Sequence, residues 1–205
     1  MWKGFGAGLG FLEIVQNNRL YEDPIDLGLS VKWASWNLGA YSEEGLGQKY
    51  SWGAWDTYAG SWTDYKWCEG SWDSMTKYCT NSYYGTVDNK TILDPEDDYA
   101  NLYWGNGWRM PTKEEMQELV EKCTWKSIIL NDVNGYRIIG PNGNKIFLPR
   151  LYRYDNGYYR YDKYWTTALY VEDNTCAYVL SMYATEYGIH RCSRCDNWYI
   201  RPVKD

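Results

Sequence analysis

The chain contains 205 residues, a length that fits one domain with a substantial hydrophobic core, and its formal net charge is −6. Its acidic residues are scattered, and such a surface makes nucleic acid a poor partner, because affinity for phosphate backbones rests on Lys and Arg. No apolar run approaches the roughly 18 residues of a membrane-spanning helix, so the sequence predicts a protein that does not span a membrane. Six cysteines are too few to scaffold a chain this long, which leaves the redox compartment open.

The N-terminus carries glycines at positions 4, 6, 8 and 10, a pattern that superficially matches a phosphate-binding loop. A dinucleotide fingerprint needs a preceding strand, and only Met1, Trp2 and Lys3 come before the first glycine. We therefore predict a flexible or partner-docked arm over residues 1–22, followed by a single domain over residues 23–205. Glu13 interrupts the short apolar run and no small-residue cleavage site follows, so we do not expect a signal peptide.

The domain begins with an alternating pattern, in which apolar side chains recur at Leu27, Leu29, Val31 and Trp33. A period of two residues is typical of a half-buried strand. The sequence therefore predicts one strand here, ending at the turn that Gly39 and the following EEGLG segment indicate.

A tryptophan-rich region follows, with Gly, Ser, Asp and Thr between Trp52, Trp55, Trp62, Trp67 and Trp72. Neither the helix period nor the strand period holds over this span, so we predict a long ordered loop pinned by tryptophans. Long ordered loops in compact domains tend to be functional or to brace a functional surface. The sequence leaves open whether Cys68 and Cys79, in the same region, form a disulfide or stay free thiols.

Three adjacent acidic residues, Glu96, Asp97 and Asp98, offer hard oxygen ligands of the kind that calcium prefers. The surrounding DPEDD and CDNW segments contain only fragments of the motifs with which calcium-dependent lectins bind sugar. We favour a solvated loop or a cap to the next chain turn, and expect no bound metal or other cofactor.

One helix is signalled clearly. Thr112 is a good N-cap residue and Glu115 follows three positions later, which predicts a capping box. Met116, Leu119, Val120 and Cys123 share one helical face, so Cys123 is interpreted as a small core residue.

A β-hairpin should come next along the chain. Its predicted strands are Tyr136–Ile139 and Lys145–Leu148, and PNGN forms the turn between them. Three further short β runs, YWTTALYV, AYVLSMY and WYIRPV, are predicted near the C-terminus, with EDNTC and GIHRCSRCDN as exposed loops between them.

The segment from Arg150 to Arg201 stands out by composition, because it holds eleven of the chain's 22 tyrosines. Its other side chains are mostly Asp, Asn, Ser, Thr, Arg and Gly, the mixture found in antibody-like contact surfaces. Tyrosine offers a large contact area at the cost of two torsions, and its hydroxyl tolerates water. The segment is therefore interpreted as a binding surface, with dense packing of aromatic β structure as the alternative.

Cys192 and Cys195 form a C-x-x-C motif, with His190 two residues earlier. A structural zinc site requires four ligands, and Cys176 is the one other thiol close to this motif in the sequence. A redox pair of the thioredoxin type would begin a helix beside a βαβ unit, whereas this motif lies in a β-rich tail. We favour cysteines that happen to occupy variable positions, with their pairing to each other left open, and a solvent-facing contact role for His190.

Four motifs in order resemble a known family: DLGLSVKWASWNLGA, WRMPTKEEMQEL, NGYRIIGPNGNKIFLP and YIRPV. They are similar to formylglycine-generating-enzyme-like domains, a branch of the C-type lectin fold, over about residues 24–203. The family is abundant in gut Bacteroidetes and their phages, and many members are variable proteins of diversity-generating retroelements. The resemblance implies an α+β domain of C-type lectin-like fold, with mixed short β-strands, one or two helices and long Trp-rich ordered loops.

In such retroelement proteins, adenines in the 3′ part of the gene are rewritten, which here corresponds to about residues 150–199. Trp, Met, Lys, Glu and Gln cannot be reached by that route, so Glu172, Met182, Glu186 and Trp198 are assigned to the scaffold. Trp165, Leu169, Leu180, Met182, Trp198 and Ile200 are assigned to the core. The candidate ligand-binding residues are Tyr152, Tyr154, Tyr158, Tyr159, Tyr161, Tyr170, Thr175, Cys176, Tyr178, Ser181, Tyr183, Thr185, Tyr187, His190, Cys192, Ser193, Arg194, Cys195, Asp196 and Asn197.

The resemblance thus predicts a non-enzymatic protein that recognises a protein or glycan ligand on a cell surface, while its oligomeric state stays open. One alternative is a carbohydrate-binding lectin of fixed specificity. Another is a formylglycine-generating-type oxidase that uses Cys192 and Cys195, although their spacing is shorter than in those enzymes. The location is also open, between a virion and a cell surface.

Overall fold

A computed structural model describes residues 24–54, 60–155, 158–183 and 186–205, and the predicted N-terminal arm lies outside these residues. Within them the chain forms two α-helices, one 3₁₀ helix and four small antiparallel sheets. The strands are β1 (Ile25–Asp26), β2 (Lys32–Trp33), β3 (Thr124–Leu130), β4 (Val133–Ile139), β5 (Lys145–Pro149), β6 (Tyr152–Asp155), β7 (Tyr158–Tyr161), β8 (Lys163–Leu169), β9 (Cys176–Met182), β10 (Tyr187–Ser193) and β11 (Val203–Lys204). The helices are α1 (Tyr99–Trp104) and α2 (Lys113–Lys122), with the 3₁₀ helix at Pro95–Asp97. The predicted α+β class is confirmed.

The sheet orders are β1-β2-β11, β3-β4-β5, β6-β7 and β10-β9-β8. The last of these is central, because a hydrophobic cluster packs against each of its faces. Leu180 and Met182 of β9 join the cluster that contains Met116 and Leu119 of α2, whereas Val179 joins the cluster on the tryptophan-loop side. Successive strand residues point to opposite faces, which lets one strand serve both clusters.

The predicted strand over residues 26–33 is wrong as a continuous element. Asp26 Oδ1 accepts a hydrogen bond of 2.7 Å from the Gly28 amide, and Gly28 has a φ of 74°, so the chain turns back on itself. The result is an antiparallel pair in which Ile25 of β1 lies opposite Trp33 of β2. The alternation of burial still holds, since Leu27, Val31 and Trp33 are all buried.

Helix α2 forms as predicted. The Thr112 hydroxyl accepts from the Glu115 amide at 3.1 Å, and Glu115 Oε2 accepts from the Thr112 amide at 2.8 Å, which completes the capping box. Met116 and Leu119 are fully buried against the central sheet. Cys123 ends the helix and packs, partly buried, against the same cluster.

The hairpin of β4 and β5 also forms as predicted, with Ile139 opposite Lys145 and Gly143 at a φ of 86° in the turn. The sequence interpretation missed β3, which pairs with β4 along its whole length. It also missed β10, because the segment from Gly188 was predicted to be an exposed loop, whereas Tyr187–Ser193 pairs fully with β9.

The tryptophan-rich region is an ordered loop, as predicted. Its described residues form isolated bridges but no named strand or helix, and indole N–H groups fasten them to other backbone. Trp52 Nε1 donates to the Thr166 carbonyl at 2.8 Å, and Trp67 Nε1 donates to the Gly53 carbonyl at 2.5 Å. Trp55 lies outside the described residues.

Of the two roles expected for the acidic triplet, a solvated loop and a cap to the next chain turn, the structure contradicts the first. Asp97 and Asp98 are buried, so they do not form a solvated loop. Asp98 caps α1, since its Oδ1 accepts from the Ala100 amide at 2.9 Å. The Asp97 carboxylate instead pairs with Lys77 at 2.6 Å and accepts from the Tyr78 hydroxyl at 2.6 Å.

Candidate functional site

Seven of the predicted ligand-binding residues lie on the two strands of the β9–β10 hairpin: Cys176, Tyr178, Ser181, Tyr187, His190, Cys192 and Ser193. Its pairing runs from Tyr187 opposite Met182, beside the turn, to Ser193 opposite Cys176 at the open end. Seven residues of strand separate the two ends, a distance of about 20 Å. Because its two ends lie this far apart and side chains alternate between its two faces, the hairpin presents two separate surfaces, one towards each end.

The first surface, which we call the turn-end surface, consists of Tyr161, Tyr183 and His190. The ring centroids of Tyr161 and Tyr183 lie 5.0 Å apart, and those of Tyr183 and His190 lie 5.7 Å apart, both in edge-to-face geometry. His190 is exposed, and the two tyrosines are half-buried. The structure therefore places His190 at the protein surface, beside an aromatic ring.

Main-chain hydrogen bonds hold the turn-end surface. The Tyr183 carbonyl accepts from the Tyr136 hydroxyl at 3.2 Å and from the Arg150 guanidinium. The Tyr183 amide donates to the Glu186 carbonyl at 2.6 Å. Since these bonds use the backbone of Tyr183, they remain when its side chain is changed.

A buried thiol lies one residue from the open end of the hairpin, on the same face of β10 as His190. Cys192 Sγ accepts from Lys163 Nζ and from Trp198 Nε1, each at 3.2 Å, and the thiol donates to Asp196 Oδ2 at 3.1 Å. Burial raises the pKa of Cys192 to about 11, against the lowering effect of the Lys163 ammonium. A thiol with this pKa is protonated at neutral pH, which makes it a poor nucleophile.

The second surface, the open-end surface, consists of Tyr170, Thr175, Cys176, Tyr178 and Ser193, together with Asp173 and Arg191. Tyr170 and Tyr178 meet edge to face with centroids 5.4 Å apart. Lys113, the first residue of α2, places its ammonium 4.1 Å from the Tyr178 ring centroid, so the helix start borders this surface. Arg191 lies 5.0 Å from the Tyr170 ring and pairs with the Asp173 carboxylate at 3.1 Å.

Four candidate residues are buried, so the prediction that they are displayed is wrong: Ser181 is 0% exposed, Cys192 8%, Arg194 0% and Cys195 4%. Ser181 lies on β9, the middle strand of its sheet, opposite Gly188. Arg194 and Cys195 follow β10 and turn inward beneath the tryptophan loop. Burial rather than residue type decided their role.

Arg194 is the clearest correction, because it fastens the hairpin to the loop. Its guanidinium donates to the carbonyls of Lys77, Tyr78 and Asn174, each at 3.0 Å. Its Nε donates to the Tyr65 hydroxyl at 3.1 Å, and its charge lies 5.0 Å from the centroid of Trp52. A buried arginine satisfied in this way is scaffold.

The C-x-x-C motif does not form a pair. Cys192 packs with the cluster around Trp165, whereas Cys195 packs with Ala54, Met75 and Cys79 in a different cluster. All six cysteines, each within the described residues, are free thiols, which answers the questions left open for Cys192 and Cys195 and for Cys68 and Cys79. Among the described residues, no group of three His, Cys, Asp or Glu side chains is placed to hold a metal ion.

The remaining candidates divide by position. Tyr187 stacks on Trp125 at 4.1 Å with planes 13° apart, at the edge of the core. Asn197 Oδ1 accepts from the Ser51 hydroxyl at 2.8 Å, which ties it to the tryptophan loop. Tyr152 and Tyr154 belong to β6, Tyr158 and Tyr159 belong to β7, and Thr185 lies outside the described residues.

Sequence reasoning missed four aromatic residues of the tryptophan-rich region. Trp62, Trp72, Tyr83 and Tyr84 wall an open groove of about 380 Å³, whose other side is formed by Asp173, Thr175 and Ser193 of the open-end surface. We call this the aromatic groove. Trp72 is 39% exposed and Tyr83 is 66% exposed, which is unusual for such large rings. The available signal was composition, since Ser, Asp and Gly surround these rings as they do the C-terminal tyrosines.

No family model, curated protein or solved structure matches this chain. Across the described part of the chain, none of the helices has the length and apolar character needed to cross a membrane. The interpretation of the two surfaces therefore rests on their geometry and on the motif resemblance.

Proposed function

We propose that this protein is a non-enzymatic ligand-binding protein, with a C-type lectin-like scaffold that presents exchangeable side chains. The observation that carries the proposal is the separation of roles within one hairpin. The rings of Tyr170, Tyr178 and Tyr183 are half-buried and His190 is exposed, whereas Arg194 and the backbone hold the frame. A recognition surface needs a rigid frame that holds its contact side chains in place.

The chemistry of the two surfaces suits a protein or glycan ligand on a cell surface. Tyrosine rings supply contact area, and the neighbouring Thr175, Ser193 and Asp173 supply short polar groups. The same mixture recurs in antibody paratopes, where rigid aromatic side chains lose little conformational entropy on binding.

Diversification by a retroelement is the second part of the proposal. Substitutions at exposed or half-buried positions such as Tyr170, Tyr178, Tyr183 and His190 leave the frame intact. In contrast, a substitution at Ser181 or Arg194 would disturb buried packing or hydrogen bonds. We expect sister copies of the gene to vary at the first group of codons and to keep the second.

Two experiments test the proposal. Sequencing the DNA around the gene should show a near-repeat of the 3′ segment, differing almost only at adenines, beside a reverse transcriptase gene. The lack of such a repeat would overturn diversification and leave ligand binding to be judged separately.

The binding test uses fluorescently labelled protein on a panel of bacterial and host cells. We expect saturable binding to some of them, and loss of that binding in the triple variant Tyr170→Ser, Tyr178→Ser, Tyr183→Ser at an unchanged melting temperature. Full binding by the folded triple variant would contradict the assignment of these surfaces.

A further inference from the structure

One side of the aromatic groove consists of aromatic rings that pack against one another. Trp72 contacts Tyr83 at 5.5 Å between ring centroids and Tyr84 at 6.3 Å, while Tyr83 and Tyr84 meet edge to face at 5.1 Å. Trp62 is supported from behind by Tyr65, at 5.7 Å and 85°. Rings braced in this way keep their orientation without a ligand, which lowers the entropy cost of binding one.

The opposite side of the groove is polar and carries no net charge. The Asp173 carboxylate is paired with Arg191 at 3.1 Å and accepts from the Thr175 hydroxyl at 2.6 Å. Ser193 adds a second hydroxyl, which lies 3.2 Å from Cys195 Sγ. These oxygens retain unused lone pairs, so they can accept hydrogen bonds from a ligand rich in hydroxyls.

These two sides select a ligand class. An aromatic face attracts the weakly positive C–H groups of an apolar ring face, and the polar side matches hydroxyls at the ring edge. A pyranose ring presents one C–H face and an edge of hydroxyls. An aromatic face also attracts cations. The polar side, however, adds no net negative charge to favour a cationic ligand, because Arg191 already neutralises Asp173.

We propose that the aromatic groove binds a neutral hexopyranose unit of a glycan, stacked on Trp72 and Tyr83 and hydrogen-bonded to Asp173, Thr175 and Ser193. This inference deepens the proposed function, on which it rests, by naming the ligand class for one end of the hairpin. The stacking wall comes from residues 62–84, outside the C-terminal segment, so it belongs to the part of the protein that diversification would leave unchanged.

Titration with neutral saccharides tests the proposal, with tryptophan fluorescence and calorimetry as readouts. The probes are the methyl pyranosides of glucose, galactose and mannose and short oligosaccharides of each, with tetramethylammonium as the cationic probe. We expect saturable binding of at least one neutral saccharide, and an about tenfold or greater loss of affinity in Trp72→Ala and in Tyr83→Ala. Tyr41→Ala removes an even more exposed ring elsewhere and should leave the affinity unchanged.

Three outcomes would overturn the inference: no saccharide binds, Tyr83→Ala and Tyr41→Ala bind alike, or only tetramethylammonium binds. The cell-binding assay separates these failures from failure of the proposed function. If cells still bind and the triple tyrosine variant loses that binding, ligand recognition stands without the sugar assignment. If neither cells nor saccharides bind, both proposals fail.

Discussion

The two ends of the β9–β10 hairpin are built in different ways. At the turn end, the Tyr183 ring contacts both Tyr161 and His190, and all three residues belong to the C-terminal part of the chain, between positions 161 and 190. At the open end, rings from residues 62–84 meet polar groups from residues 173–193, and the buried Arg194 holds the two segments together. We therefore expect the turn-end surface to tolerate substitutions, whereas the open-end surface, formed between distant segments, should depend on its anchor.

Removal of the Arg194 guanidinium should have the largest effect on the free energy of unfolding. Arg194→Met leaves three backbone carbonyls without donors in a buried site, so we expect a loss of about 3 kcal/mol or more in the free energy of unfolding. Urea denaturation measures it. The matched control is Arg191→Met, whose surface ion pair with Asp173 is worth about 0.5 kcal/mol. Equal losses in the two variants would contradict the anchoring role.

The buried Cys192 thiol, one residue from the open end of the hairpin, should make stability fall at alkaline pH. The pKa of Cys192 is raised to about 11 in the fold, while an unfolded thiol titrates near about 8.5, so the unfolded state loses its proton first. The stabilisation is complete below pH 8.5 and is lost as pH rises towards 11. In Cys192→Ala, the decline measured by urea denaturation between pH 8.5 and 10 should shrink by about 1 to 2 kcal/mol. An identical decline in both proteins would show that this thiol is not responsible.

The capping box tests whether the start of α2 supports the open end. Thr112→Ala removes the acceptor for the Glu115 amide and should cost about 1 kcal/mol, measured by thermal denaturation. Because Lys113 lies over Tyr178, we expect hydrogen exchange to rise around Tyr178 and to stay unchanged around Tyr183. Thr112→Ser retains the hydroxyl and serves as the control, and equal exchange at both ends would remove the distinction between them.

The smallest effect on stability is expected for the displayed rings. Tyr183→Ala and Tyr178→Ala should each change the free energy of unfolding by about 0.5 kcal/mol or less, while weakening cell binding. Tyr164→Ala is the contrasting variant, because Tyr164 is 0% exposed and donates to the Pro149 carbonyl at 2.9 Å. It should cost about 3 kcal/mol or more. A loss of that size from Tyr183→Ala would instead favour the packing explanation of the tyrosine-rich segment.

Sequence reasoning predicted the elements whose signals are local and failed where distant chain segments meet. The strand predicted over residues 26–33 failed because the Asp26 side chain and Gly28 form a turn within the alternating pattern. Strand β10 was missed because its sequence is polar, although β9 supplies a complete set of partners. For β10, hydrogen bonding to the neighbouring strand β9 outweighed the low strand propensity that its polar composition indicates.

The sequence by itself determined the α+β class, the capping box at Thr112 and Glu115, and the turn at Gly143, because each depends on interactions within a few residues. Only the tertiary structure decided that Arg194 is a buried anchor, since its acceptors at Lys77 and Tyr78 lie more than a hundred positions away in the chain. For the same reason, the aromatic groove exists only in the folded protein. Its walls come from two segments that the sequence shows as unrelated and that burial of one arginine brings together.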